Sequence, residues 1–188
     1  KTNNFKKIFD AGCGTGYYLD RLARHLNIPQ TYGCDISKTA IKVAAKKYPN
    51  SHFAVANNYY LPYFDNSFDL VLSIFAPLDE KELSRIITPN GQIIVVRPNN
   101  QHLIELYQAI GIKVREKNKP SLFPNLKFWK EQHLLKEILI KNSTDLSNLL
   151  SMTPLLRILN SKNLDITKLQ INKVTFDVNI SIFSKEQC

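Results

Sequence analysis

The chain predicts an α/β fold in which a mostly parallel sheet carries helices on both faces. Three observations carry this. A glycine-rich turn, Gly12-Cys-Gly-Thr-Gly16, separates an apolar run from a helix-like segment. Strand-like and helix-like stretches then alternate through the first hundred residues. Near the end, Val174 to Ile182 alternates with period two, the pattern of a strand.

In order, Ile8 and Phe9 form a short apolar strand ending in Asp10, and the glycines follow. From Tyr17 to Leu26, Leu19, Leu22, Ala23 and Leu26 recur at helical spacing, with one face toward a sheet. Thr31 to Asp35 reads as a second strand ending in an acid about twenty residues past the turn, where a carboxylate can accept both ribose hydroxyls of an adenosine group. The competing role for Asp35 is a helix cap, which Ser37 can fill instead. The helix Lys38 to Lys47 buries Ala40, Ile41, Ala44 and Ala45, and Tyr48-Pro-Asn50 ends it. His52 to Ala56 is a third strand, followed by Asn57, a reader of an adenine base or a turn residue.

Leu61 to Asp69 turns into a fourth strand, Leu70 to Phe75, which runs out through Ser73-Ile-Phe-Ala-Pro77. A short helix, Glu80 to Ile87, precedes Thr88-Pro-Asn-Gly91 and a fifth strand, Gln92 to Arg97; Asn90 there suits a left-handed backbone. Counted this way, five β-α units succeed one another, and ligands sit at the carboxyl ends of such strands, beside strand one. Two late strands, His133 to Ile140 and Val174 to Ile182, bring the sheet to seven, the last antiparallel. Helices over Thr144 to Leu150 and up to Leu159 lie between them.

The 188 residues suit one domain, with 44% hydrophobic and 22% charged residues. No run suggests a membrane span or a secretory leader. Cys13, Cys34 and Cys188 include no C-x-x-C pair, so no zinc site can be assembled; Cys13 and Cys34 read as packing residues of a reduced, cytoplasmic protein. Met152 is the sole methionine, so a piece of a longer protein, or a processed product, is expected.

The net charge of +9 suits a polyanion, although the lysine-rich, asparagine-rich bias can also come from genome composition. Residues 113–141 hold eight basic and three acidic residues, with Phe123, Phe128 and Trp129 interleaved. Such a stretch either stacks on unpaired bases or tucks its aromatics into the core.

The glycine turn separates two ligand classes. A dinucleotide fingerprint starting at Gly12 would need its third glycine at position 17, which holds Tyr17. The pattern present, D-x-G-x-G-x-G, resembles the first motif of S-adenosylmethionine-dependent methyltransferases with a Rossmann-like fold. A glycine-rich structural turn is the plain alternative. The segment L-P-Y-F-D-N-S-F-D resembles the same group.

The resemblance then narrows. D-A-G-C-G-T-G-Y-Y, G-C-D-I-S-K-T-A-I-K-V-A-A-K-K-Y-P, I-F-A-P, H-L-I-E-L, S-M-T-P and F-D-V-N-I follow in order over nearly the whole chain. Together they resemble the bacterial 23S ribosomal RNA guanine-N1-methyltransferases. This implies S-adenosyl-L-methionine as cofactor and methyl transfer to N1 of a guanine in a 23S ribosomal RNA hairpin. It also implies an N-terminal zinc-binding RNA-recognition module, which this stretch does not contain.

Carried over by position, cofactor contacts fall on Tyr18, Leu19 and His102, beside Asp10, Gly12, Gly14, Asp35, Asn57 and Phe75 from the strand ends. Without the resemblance His102 reads as a capping or packing residue. Arg97-Pro-Asn-Asn departs from the family's small residues after strand five, and the basic stretch is not a family hallmark. The base that takes the N1 proton is unassigned; Asp79 is a candidate, as is a helix-capping role for it. The expected partner is 23S ribosomal RNA, no membrane is expected, and a homodimer is left open. The rival functions are a small-molecule methyltransferase and an inactive cofactor-binding RNA module.

Overall fold

The structure, a computed structural model, describes residues 4–113, 123, 126–153, 155–161, 165, 169 and 171–185. Its strands are β1 (Lys7–Ala11), β2 (Gln30–Asp35), β3 (His52–Val55), β4 (Phe68–Ile74), β5 (Ile87–Pro98), β6 (Lys127–Leu139) and β7 (Lys173–Ser184). The helices are α1 (Tyr17–Leu26), α2 (Lys38–Lys47), α3 (Glu80–Ile86), α4 (Ile104–Ala109), α5 (Ser143–Ser151) and α6 (Leu155–Ser161). One sheet of seven strands runs β3-β2-β1-β4-β5-β7-β6, parallel from β3 to β5 and antiparallel at β5-β7-β6.

The chain divides into two compact units. The first comprises Lys1–Arg97, Pro120–Gln132 and Ile180–Cys188. Its order follows from β1, whose residues 8–11 are buried on both faces, as a central parallel strand requires. Phe9 faces one core with Val71, Ile86 and Ile93, and Ile8 faces the other with Leu19, Ala23 and Leu70. Because β1 pairs with both β2 and β4, the chain changes direction across the sheet beside β1. This is the switch point where strand ends diverge and leave a crevice.

The second unit comprises Pro98–Lys119 and His133–Asn179. Its core joins Leu103 and Leu106 with Leu146 and Leu150 of α5, Leu155 and Leu159 of α6, and Val174. Asn142 caps α5, its side-chain oxygen accepting from the Asp145 amide at 2.9 Å.

Several expected boundaries shift. Residues 56–67, between β3 and β4, form turns and no helix, so the count of five complete β-α units is one helix too high. Strand β5 begins at Ile87, with Asn90 left-handed at φ 65° as its sequence suggested. Strand β6 begins at Lys127, six residues before the expected start. Twelve of its thirteen residues are exposed, so no buried face imposes an alternating pattern on its sequence. In the basic stretch, residues 114–122, 124 and 125 lie outside the described residues, as do Pro154 and Cys188. Phe123 is buried against Phe183, whereas Phe128 and Trp129 are 55% and 61% exposed. The tucked-in reading therefore holds for Phe123 and fails for the other two.

Candidate cofactor-binding site

The glycine turn starts at the carboxyl end of β1. The amides of Gly12 and Cys13 both donate to the Cys34 carbonyl at 2.9 and 2.8 Å, which folds the turn over the end of β2. Gly12 adopts φ 80°, and a Cβ on it would lie 2.4 Å from the Ala76 Cβ, so only glycine lets the turn meet the chain leaving β4. Gly14, also left-handed, is open: a Cβ there would meet nothing within 4 Å. Gly16 caps α1 without any side-chain hydrogen bond, so the first-turn amides keep the partial positive charge of a helix start.

Asp35 fixes the open side of this turn. Its Oδ2 accepts from the Gly14 amide at 2.9 Å and its Oδ1 from the Ser37 amide at 2.8 Å. A carboxylate has about four lone-pair sites, so two accepted bonds leave capacity for a diol. Ser37 caps α2, its Oγ accepting from the Ala40 amide at 3.2 Å. That separates the capping role from Asp35, as the sequence allowed.

Asp10 lies beneath the turn and is 2% exposed, and its Oδ1 has no hydrogen-bond partner among the described residues. Burial pushes its carboxyl up to about 7, and the Asp35 charge adds to the effect. A buried carboxyl with an unmatched oxygen is set to receive a cation or a donor. Cys13 and Cys34 are buried, and burial raises both thiols, Cys34 to about 11. They are packing residues, as expected.

At β3 the two asparagines divide. Asn57 bends back on its own turn, its Oδ1 accepting from the Tyr59 amide at 3.1 Å. Asn58, which the sequence reading passed over, reaches across strands. Its Nδ2 donates to the Pro77 carbonyl at 2.8 Å, and its Oδ1 accepts from the Cys34 thiol at 3.3 Å. The tandem Asn-Asn after a strand was the signal, but nothing in one sequence says which amide serves the local turn. Phe75 directly follows β4, half-exposed and left-handed at φ 54°, its amide donating to the Val96 carbonyl at 3.0 Å.

The first unit therefore gathers Asp10, Gly12, Gly14, Asp35, Asn57 and Phe75 at the carboxyl ends of β1 to β4. Tyr18, in the first turn of α1, is half-exposed. Leu19 belongs to the core with Ile8 and Leu70, so only its backbone can face a ligand. Asp79 is the cap of α3, its Oδ1 accepting from the Glu82 amide at 2.8 Å, which accounts for it without a catalytic role.

His102 lies in the second unit, next to Asp177. Its Nδ1 accepts from the Asp177 amide at 3.3 Å, which puts the proton of the neutral ring on Nε2, and its ring packs edge-on to Phe176. Asp177 is itself buried and holds three donors. They are the Gln101 amide at 2.8 Å, His133 Nε2 at 2.6 Å, and Asn99.

Comparison with known proteins agrees with this geometry. The family model described as a methyltransferase domain matches residues 8–91. A 23S rRNA (guanine(748)-N(1))-methyltransferase of Streptomyces fradiae is 36% identical over 111 residues, covering 58% of this chain and 40% of that protein. A malonyl-[acyl-carrier protein] O-methyltransferase of a Marinomonas species is 35% identical over 117 residues, covering 57% and 43%. The chain thus aligns with less than half the length of these relatives. The solved structure of the YcgJ protein from Bacillus subtilis superimposes with a TM-score of 0.63 at 17% identity, covering 97% of this chain and 93% of that one. It shows the shared fold.

Proposed function

With residues 8–91 a methyltransferase domain whose cofactor is S-adenosylmethionine, we propose that the chain transfers a methyl group to N1 of a guanine in a hairpin of 23S ribosomal RNA. The acceptor rests on the match to the Streptomyces fradiae enzyme, whose name states that reaction. The exposed Phe128 and Trp129 beside Lys127 and Lys130 and the net charge of +9 accord with an RNA partner.

The site fits the cofactor's chemistry. The uncapped start of α1 suits its carboxylate, and the unmatched oxygen of Asp10 suits its ammonium. Asp35 suits the ribose diol, and the open face of Gly14 leaves room for the ligand to lie against the turn. Tyr18 and the Leu19 backbone at the start of α1 and Asn57 after β3 belong to the same proposed set, and His102, in the second unit, keeps its cofactor role through the resemblance alone. When bound, the cofactor supplies a methyl group made electrophilic by its sulfonium.

The residues of this chain then act by alignment. Asp35 holds the turn and its helix in place, Gly12 lets the β4 exit come close, and Phe75 presents an aromatic surface beside that exit. N1 of guanine is protonated, so its proton leaves as the N1–carbon bond forms, to water or to a base of the protein. N1 is also on the pairing edge, so the guanine must be unpaired when it reacts.

Incubating the full-length protein with unmodified 23S ribosomal RNA and methyl-labelled cofactor tests the acceptor. Label recovered at N1 of a guanine supports the reading; label only on a small metabolite or an acyl-carrier thioester sinks it. The acyl-carrier relative makes the second outcome a specific rival. Binding without transfer would identify an inactive module. Separately, Asp35→Ala should weaken cofactor binding at least tenfold by calorimetry, because it removes the diol acceptor and the Gly14 restraint together; unchanged affinity would refute the ribose role.

A further inference from the structure

We infer that Asn58 is a positioning residue for methyl transfer, locking the turn after β4 onto the donor-binding glycine turn. The inference rests on the methyltransferase reading above but not on the identity of the acceptor. Its side chain is half-buried and ties together points far apart in sequence: Pro77 is 19 residues away and Cys34 is 24. The same Nδ2 lies 3.4 Å from where a Cβ on Gly12 would be. One planar amide therefore bonds to the end of β2 and the exit of β4 and fills the space beside Gly12 that a side chain there would need.

The exit of β4 needs such a restraint. Phe75 is left-handed, a conformation that costs a side-chain-bearing residue ~1 kcal/mol or more and persists only where its surroundings enforce it. Ala76 follows directly over Gly12, at a separation that excludes any Cβ on the glycine. Pro77 has no amide hydrogen, so its carbonyl is the polar handle by which the turn can be held, and Asn58 holds it. On the other side, the Phe75 amide is fixed to Val96. With both anchors made, the surface at Phe75 stands at a set height above the glycine turn. Without the Asn58 anchor that height is free to vary, while the turn's own bonds to Cys34 and Asp35 remain. An angstrom of drift between reacting groups costs rate far more than it costs donor affinity.

Two variants of the full-length protein test this. Asn58→Asp keeps size and shape but turns an oxygen toward the Pro77 carbonyl, and Asn58→Ala removes the anchor without adding charge. For both, kcat on ribosomal RNA is expected to fall about tenfold or more while the cofactor Kd stays within about threefold. Hydrogen exchange in a peptide spanning residues 73–79 should quicken, with the peptide over residues 8–16 unchanged. Wild-type kcat with wild-type exchange in both variants would overturn the proposal. So would a parallel loss of kcat and cofactor affinity, which would make Asn58 a cofactor contact or a general stabiliser. If the wild type transfers no methyl to ribosomal RNA, the acceptor reading falls, and the exchange measurement still decides the tie.

Discussion

Each unit shields an aspartate from solvent, and the two are held in opposite ways. Asp10 in the first unit and Asp177 in the second are both 2% exposed. Asp10 has an oxygen without a partner among the described residues, and burial, reinforced by Asp35, raises its carboxyl to about 7. Burial alone would also raise Asp177. Donors from His133, the Gln101 amide and Asn99 outweigh that and hold it below the usual carboxylate range. Equally low exposure therefore accompanies a carboxylate with three donors in one place and one with an unmatched oxygen beneath the glycine turn in the other. Solvent exposure does not tell the two carboxylates apart; their donors do.

The sharpest way to break this contrast is Asp177→Ala. It strands the Gln101 amide and His133, and a loss of ~3 kcal/mol in unfolding free energy is expected, read by urea denaturation. Loss below about 1 kcal/mol would mean the hub is not structural. Asp10→Asn should behave in the opposite sense. At pH 8, without cofactor, it should stabilise the protein by ~1–2 kcal/mol, because a buried, poorly matched charge is removed. Cofactor affinity should fall about tenfold in the same variant, and a destabilised Asp10→Asn would show that the carboxylate is satisfied after all.

The smallest effect is in the pH dependence. Asp10 keeps its proton to about 7 when folded, against an ordinary value of 3.8, so its contribution to the stability of the cofactor-free protein declines as pH rises between those values. Asp177 has a lowered value, so its contribution is present above 3.8 and is lost as pH falls through its folded value. With Asp10 in the proposed ammonium subsite, cofactor binding would favour its charged form, so affinity should climb with pH and level off above about 7. Calorimetric titration between pH 5.5 and 8.5 is the check, and a flat profile would remove Asp10 from the cationic subsite.

The parallel half of the sheet was legible because its central strands, β1 and β4, are buried on both faces and its strands end in chemically distinct residues. Asp10, the glycines and Asp35 could each be placed from spacing alone. The far edge was not legible to the same degree. Strand β6 has no buried face to impose a rhythm, and a Lys-Phe-Trp-Lys-Glu-Gln run reads as loop until a partner strand defines it. Within the site, residue type was readable and side-chain direction was not. Leu19 fits a contact position and spends its side chain on the core, and Asn57 fits an adenine reader while its oxygen serves a turn. The cross-strand tie made by Asn58 depends on Pro77 and Cys34 meeting in space, which only the folded sheet brings about.

The two buried thiols give the glycine turn a native reporter. Cys13 is part of the turn, and Cys34 supplies the carbonyl on which the turn is hung. With both thiols sequestered and their ionisation suppressed, alkylating reagents reach them only when the turn lifts away from β2. Peptide mapping of alkylation at these two positions, with and without cofactor, therefore measures the opening of the glycine turn directly. It requires no introduced label, and any compound that occupies the site should register as protection, which makes the pair a ready screen for inhibitors.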